Sequence, residues 1–541
     1  MSDEQPPERP RFRTPAERAG ATPLDPEAFR ASAGGLAAER RRTIDEVPLD
    51  PAEDGPLGAG VEVRRRRRRR RSTRPWWIAA AELVVAGLLT VAVGWFLDAD
   101  AEVAAASPPE TVVATPIASA RRVPEVLVRP VASRNLDAAL QPILATAPAE
   151  TCLEVRDLAT PAAGHQEGTP LVPASNMKLV VAAAAIDLLG ADTRLTTRFA
   201  TDGTPTDGST VRGNLYMVGG GDPLLTTDGY QARMRHGTQP ETDLEAVADQ
   251  IVDSGVRHIT GSVIGDESRF DDERRPPSWP ERYLTQAQSA PLSALLVDDG
   301  WRSPSGPVDD PALHAATVLQ DLLVERGVRV DGAPGTGVTP EAASTLLEVP
   351  SLTVAELVDE ALRFSDNTTT ELLVKELGVA AGTAGTTTAG IEQLRGWIDS
   401  SGLPAEGVSF DDGSGLSAND RVTCQFLSAL VGVEGPSGVV ANGLAVPGES
   451  GTLDDRFLAE PLRSRLRAKT GTLNSVTSLS GWLTTDASAN LAFSLIINTG
   501  SRSVNESDQT LQRRVLEAML SYPQAPDVST LGPAAPVASG G

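Results

Sequence analysis

The sequence predicts a mixed α/β chain of the α+β kind: one antiparallel sheet flanked by helices, interrupted by a large mixed α/β insertion and preceded by a single N-terminal transmembrane helix. Three observations predict it. Leu466–Thr472, Thr477–Thr484 and Leu491–Asn498 are strand-like runs separated by turn residues, and Asp508–Leu520 follows with Leu511, Val515 and Met519 at helical spacing. Far upstream, Leu179–Leu189 is an apolar helical stretch, and the long interval between it and the strands alternates short strand and helix patterns. Trp76–Leu97 is a 22-residue apolar segment whose one charge is Glu82; as a helix it would be about 33 Å long, enough to cross a bilayer.

In chain order, residues 1–63 are rich in Pro, Arg, Glu and Ala without sustained apolar periodicity and read as a disordered tail. Arg64–Arg71 are consecutive arginines that open a polybasic segment, 64–75. Directly before the apolar segment 76–97, such a tract favours a membrane over a nucleic acid and holds the N-terminus in the cytoplasm. Trp76, Trp77 and Trp95 are placed as interfacial anchors. Ala99-Asp100-Ala101 resembles a signal-peptidase site, but the run and the tail before it are long for a cleaved signal, so a retained anchor is expected. Residues 98–134, dominated by Ala, Pro and Val, read as a stalk. From Asn135 the pattern turns globular: Leu136, Leu140 and Leu144 share a helix face, and Cys152–Val155 begins a strand. In the interval, Leu215–Val218 and Ser262–Gly265 read as strands, and Leu244–Val252 and Leu313–Glu325 as helices. Gly219-Gly220-Gly221 reads as a flexible turn. Val354–Leu362 and Thr368–Leu377 are helical patterns on either side of Ser365-Asp366-Asn367, and Lys375, four residues after Glu371, reads as a surface ion-pair partner. A further helix from about Asp420 carries Cys424, and 524–541 is a loose tail.

Charge is unevenly distributed. The formal net charge is -24, yet residues 1–74 hold 17 Arg against 13 acidic residues, which leaves 31 basic and 59 acidic side chains beyond. That balance argues against nucleic acid as a partner of the folded part, because phosphate binding needs basic surface. Two cysteines, Cys152 and Cys424, build no cysteine-rich zinc site, and the four histidines show no metal-ligand spacing. Outside the membrane the cysteines could pair, but the sequence leaves that open. No phosphate-loop or dinucleotide fingerprint occurs, so neither metal nor cofactor is expected.

The chemistry centres on Pro173-Ala174-Ser175-Asn176-Met177-Lys178. At a helix start, Ser175 and Lys178 would point from one face, where free backbone N–H groups favour developing negative charge. Alone, Ser-x-x-Lys also fits an ordinary helix cap. The chain, however, holds three lysines, Lys178, Lys375 and Lys469, against 45 arginines. Arginine keeps its proton near neutrality, whereas a buried lysine can lose it, so lysine would be retained where proton transfer matters. Two further triplets follow in order, Ser365-Asp366-Asn367 and Lys469-Thr470-Gly471.

This trio is shared by β-lactamases and penicillin-binding proteins. With Leu215–Pro223, Pro277-Ser278-Trp279-Pro280 and Asp412-Gly413-Ser414-Gly415-Leu416-Ser417, the chain resembles the class C penicillin-binding proteins of the D-alanyl-D-alanine carboxypeptidase/endopeptidase type, from about Asn135 to Tyr522. The resemblance implies a β-lactamase/transpeptidase-like domain in two parts, 135–200 and 351–523, around inserted domains at 201–350. It implies Ser175 as nucleophile, Lys178 as base and Ser365 as proton relay. Asn367 would hold the substrate amide, Lys469 and Thr470 its carboxylate, and the backbone N–H groups of Ser175 and Thr472 the oxyanion. Gly471 would let the ligand backbone approach. The expected partners are peptidoglycan peptides ending in D-Ala-D-Ala, β-lactam antibiotics and, through the N-terminal helix, the cell membrane, with the enzyme on its outer side. The rivals are a β-lactamase, against which the insertion and anchor argue, and a non-catalytic wall-binding or penicillin-sensing protein, against which the intact Ser175, Lys178 and Lys469 argue.

Overall fold

The computed structural model describes residues 125–203, 209–231, 239–302 and 306–524. The expected tail 1–63, the arginine tract, the Trp76–Leu97 membrane helix and the tail beyond residue 524 lie outside the described residues. Among the described residues no helix is long and apolar enough to cross a membrane.

Helix α1 (Glu125–Leu144) buries Ala132, Leu136, Leu140 and Leu144. It begins ten residues before the expected end of the stalk and contains Pro130 and Pro142. The apolar face tolerates them because tertiary packing outweighs the lost backbone bonds. Strands β1 (Glu150–Asp157) and β2 (Thr160–His165) follow, and then a 3₁₀ turn, Ala174–Met177, leads into α2 (Lys178–Leu188).

The chain then enters a second sheet through β3 (Arg194–Thr201) and leaves it through β7 (Ser344–Thr353), which pairs antiparallel with β3. The segment between therefore starts and ends side by side, a few residues outside 201–350 at each end. Within it come β4 (Leu215–Val218), α3 (Leu244–Asp253), β5 (Val263–Asp266), α4 (Pro311–Glu325) and the short β6 (Gly335–Thr336). The order is β6-β5-β4-β3-β7, with β6, β5 and β4 parallel. Its core, including Phe199, Met217, Ile251, Val263 and Leu319, is separate from those of the main sheet. Asp243 and Asp310 cap α3 and α4 by accepting the N–H groups of Ala246 and Leu313. The glycine run is closely packed rather than flexible: a Cβ at Gly220 would lie 2.1 Å from the Thr196 carbonyl oxygen.

Helix α5 (Val354–Arg363) opens with a Thr353–Glu356 capping box, and α6 (Asn367–Ala380) starts behind Asp366, whose carboxylate accepts the Thr369 N–H. Then come α7 (Thr387–Ser401) and α8 (Cys424–Glu434), with Cys424 disulfide-bonded to Cys152 of β1 at a Cα separation of 5.8 Å. Strands β8 (Leu466–Leu473), β9 (Val476–Thr484) and β10 (Asn490–Asn498) and helix α9 (Glu506–Met519) complete the chain.

The main sheet is antiparallel throughout, in the order β8-β9-β10-β1-β2. Its period-two alternation separates two cores. Leu153, Leu479 and Leu495, in register, face α1 and α9. Cys152 and Ile496 face α2, α6 and α8. Because helices cover both faces, β10 is apolar almost without interruption.

Lys375 corrects the surface expectation. It is fully buried, its ammonium pairs with Asp271 and donates to the Glu273 carbonyl at 3.1 Å, and Glu371 turns elsewhere. Helix α6 is buried along most of its length, so tertiary partners replace the i,i+4 pair.

Candidate active site

The turn that carries the candidate nucleophile Ser175, the nucleophile turn, is held from the sheet. Ser478 Oγ of β9 donates to the Pro173 carbonyl at 2.6 Å, and Asn176 Nδ2 donates to Ser480 Oγ at 2.8 Å. Ala174, just before Ser175, takes a left-handed φ of 48°, a strained conformation of the kind found at functional sites. Ser175 lies in the 3₁₀ turn rather than in the first turn of an α-helix, and at three residues per turn positions i and i+3 eclipse. This aligns Ser175 with Lys178 directly.

Lys178 is 1% exposed, while Ser175 is only half-buried. The lysine Nζ lies 3.3 Å from Ser175 Oγ, 2.6 Å from Asn367 Oδ1 and 2.8 Å from the Ser414 carbonyl oxygen. The last two atoms can only accept. A neutral amine has two N–H groups and one lone pair, so with both N–H groups given to Asn367 and Ser414, the lone pair falls to the Ser175 hydroxyl. Burial lowers the Lys178 pKa to about 8, against the pull of Glu371, Asp366, Asp412 and Glu360.

The second triplet arrives between two helices. Ser365 adopts a left-handed φ of 62° in the turn between α5 and α6. Its Oγ accepts from Lys469 Nζ at 2.8 Å. Asn367, at the start of α6, also donates through Nδ2 to the Gln288 carbonyl at 2.5 Å, so the inserted segment touches this corner.

The third triplet is on β8, the edge strand. Its register places Lys469 opposite Ser480, and Gly471 opposite Ser478, on the face that carries the nucleophile turn. Lys469 is fully buried, also donates to the Thr470 carbonyl at 2.9 Å, and is held well below the usual lysine range by burial and by the charge of Lys178. Thr470 alternates to the other face, where its hydroxyl donates to Thr452 Oγ1 at 2.8 Å, and Thr472 is exposed. A Cβ at Gly471 would sit 2.2 Å from Ser478 Oγ, 2.9 Å from the Pro173 carbonyl and 3.1 Å from Ser175 N. The glycine is thus required by the close approach of β8 to the nucleophile turn.

Sequence reasoning missed the groups behind Lys178. Glu371 is fully buried and accepts the N–H of Ser414 at 2.7 Å and of Gly413 at 3.1 Å on one oxygen. Asp412 accepts the N–H of Gly415 at 2.7 Å, of Ser417 at 2.6 Å and of the Trp279 indole at 2.7 Å. Together they shape the 412–417 loop that presents the Ser414 carbonyl, and Trp279 ties it to the inserted segment. Asp412–Ser417 and Pro277–Pro280 stand out in the sequence, but a backbone carbonyl contact leaves no residue-type signature. Among the described residues no group of three or more His, Cys, Asp or Glu could hold a metal ion.

Residues 132–306 and 302–519 match the model of the D-Ala-D-Ala carboxypeptidase 3 (S13) family. Over 413 residues the chain is 29% identical to a D-alanyl-D-alanine carboxypeptidase of Actinomadura sp. (strain R39), covering 61% of this chain and 74% of that protein. Carboxypeptidase Rv3627c of Mycobacterium tuberculosis is 30% identical over 347 residues, covering 61% and 72%. Penicillin binding protein 4 (dacB) of Haemophilus influenzae superposes with a TM-score of 0.62 at 18% identity, over 71% of this chain and 99% of that one, and so shares the fold.

Proposed function

The chain belongs to the D-Ala-D-Ala carboxypeptidase 3 (S13) family, and we propose that its serine-hydrolase chemistry runs through Ser175 as nucleophile and Lys178 as base. The activity is that of a serine-type D-alanyl-D-alanine carboxypeptidase acting on peptidoglycan stem peptides. One observation carries the assignment of roles: Lys178 Nζ lies 3.3 Å from Ser175 Oγ while two carbonyl acceptors occupy its other directions.

Ser175 Oγ attacks the penultimate D-Ala carbonyl carbon and Lys178 takes its proton. The peptide C–N bond breaks as the proton held by Lys178 is relayed through the Ser365 hydroxyl to the leaving amine, which returns Lys178 to its neutral form; terminal D-Ala departs from an acyl-enzyme that water later cleaves, again with Lys178 as base. The outer edge of β8 beyond Ala468, whose own N–H donates to the Ala445 carbonyl at 3.1 Å, suits an extended peptide adding as a further strand. The nearness of Gly471 to Ser175 N supports an oxyanion site between the N–H groups of Ser175 and Thr472. The substrate carboxylate goes to Lys469 and Thr470; as a negative charge beside a buried amine it would restore the proton that burial weakens. Asn367 Nδ2 donates to the carbonyl of the substrate amide once it exchanges the Gln288 carbonyl. β-Lactams acylate the same serine.

The test is intact-protein mass spectrometry with benzylpenicillin beside D-Ala release from a diacetyl-Lys-D-Ala-D-Ala peptide. A lasting adduct on Ser175 with D-Ala release is expected. An adduct lost within seconds while penicillin is consumed would mean a β-lactamase, and neither adduct nor release a binding protein. The acylation rate should climb about tenfold per pH unit below the Lys178 pKa of about 8 and level off above it, because the protonated amine cannot accept. A rate flat from pH 5 to 9 would exclude Lys178 as base. Gly471→Ala should slow acylation about 100-fold, since its Cβ cannot fit unless β8 or the nucleophile turn shifts. An unchanged rate would show that the close approach is unimportant.

Trp76–Leu97 is proposed as a retained anchor with the catalytic part outside the cell membrane. Its length, its single charge and the arginines before it support this. So does the buried Cys152–Cys424 disulfide, a bond that persists in oxidising compartments. Recovery of the full chain from membranes by carbonate washing would contradict it.

A further inference from the structure

Lys178 sits among charges from every side. Asp366 precedes α6, Glu371 lies one turn into α6, Glu360 comes from α5, Asp412 from the 412–417 loop with Asp420 behind it, and Lys469 from β8. Of these, Glu371 and Asp412 are each joined to Lys178 by a short bonded path through Ser414, and Glu371 is the one that reaches the loop from another element. Its Oε1 accepts the Ser414 N–H at 2.7 Å, and the carbonyl of the same residue accepts from Lys178 Nζ at 2.8 Å. The Gly413 N–H, 3.1 Å from the same oxygen and 3.3 Å from Oε2, fixes the loop at a second point. Glu371 is completely buried, and Asp412, within the loop, accepts the Gly415 N–H of the Ser414–Gly415 peptide at 2.7 Å.

We infer that Glu371 is a positioning residue for acylation: its buried side chain holds the Ser414 peptide so that the Ser414 carbonyl is aimed at Lys178. The inference rests on Lys178 being the base. The two shorter bonds share one oxygen, Oε1, while Oε2 lies 3.3 Å from the Gly413 nitrogen. A glutamine whose Oε1 takes that place keeps the two shorter bonds and gives up only the longer one. An aspartate keeps the carboxyl group but withdraws the oxygen from the loop by one methylene. Burial raises the Glu371 pKa to about 8, so on the acid limb below that pH the side chain is already largely protonated and a glutamine matches it in charge as well as in shape.

The experiment measures benzylpenicillin acylation against pH, by intact mass, for wild type, Glu371→Gln and Glu371→Asp. In Glu371→Gln, which can keep the Ser414 and Gly413 N–H bonds, the plateau should stay within about threefold of wild type. In Glu371→Asp the limb should stay at the wild-type pH while the plateau falls about tenfold or more. A Gln plateau that falls as far as the Asp plateau, or an Asp plateau at the wild-type level, overturns the inference. Should the Gln protein not fold, the Asp profile decides alone: an unmoved limb with a wild-type plateau overturns it as well. Failure of the underlying reading looks different, since wild type would then take up no adduct at Ser175 or acylate without an acid limb.

Discussion

Ser175→Ala is expected to abolish both D-Ala release and covalent penicillin labelling, a loss of about 10⁴-fold or more in turnover. The hydroxyl is half-exposed to substrate and 3.3 Å from the buried amine of Lys178, and the other half-exposed group within reach of that amine, the Asn367 amide, is no nucleophile. Without it the acyl group has no oxygen to join, and the rest of the site can only bind. The fold should tolerate the change. The turn is anchored by the Pro173 carbonyl to Ser478 and by Asn176 to Ser480, neither of which uses the Ser175 side chain. The measurement is the intact mass of the variant after hours with benzylpenicillin, beside a thermal unfolding curve. An adduct on a folded Ser175→Ala protein would disprove the nucleophile.

Lys178→Arg should cost nearly as much, about 10³-fold in acylation, although it keeps a positive charge. Guanidinium stays protonated at any working pH, so it offers no lone pair to the serine proton. Its fork also cannot fit a site where one nitrogen meets three oxygens within 3.3 Å and where the side chain is 1% exposed. The discriminating readout is the pH profile. The residual rate of the variant should lose its rise toward pH 8. A variant acylating at the wild-type rate, or retaining that rise, would assign the base elsewhere.

What the three lysines share became visible only in three dimensions. All three lysines are buried, Lys178 at 1% exposed and Lys375 and Lys469 at 0%. Arginine serves the surface. Yet their scarcity did not distinguish their surroundings: Lys178 and Lys469 enter the site, whereas Lys375 is an internal ion-pair partner of Asp271 that joins α6 to the inserted segment. The i,i+4 spacing from Glu371 suggested a surface pair because local spacing carries no information about what packs over a helix.

By itself the sequence determined the strands and helices with strong periodicity. Leu466–Leu473, Val476–Thr484 and Asn490–Asn498 fall within a residue or two of expectation, since alternating burial writes itself into residue type. It also determined which side chains could do proton transfer, because only a few residue types have the chemistry. Tertiary structure alone decided how those side chains meet. The register of β8 on β9 turns Lys469 and Gly471 toward the nucleophile turn, the disulfide pairs Cys152 with Cys424 across 272 residues, and Glu371, Asp412 and the Ser414 carbonyl converge behind Lys178. These contacts run between segments far apart in the chain and largely through backbone atoms, which every residue carries alike. For that reason they leave no mark in a sequence until the fold brings them together.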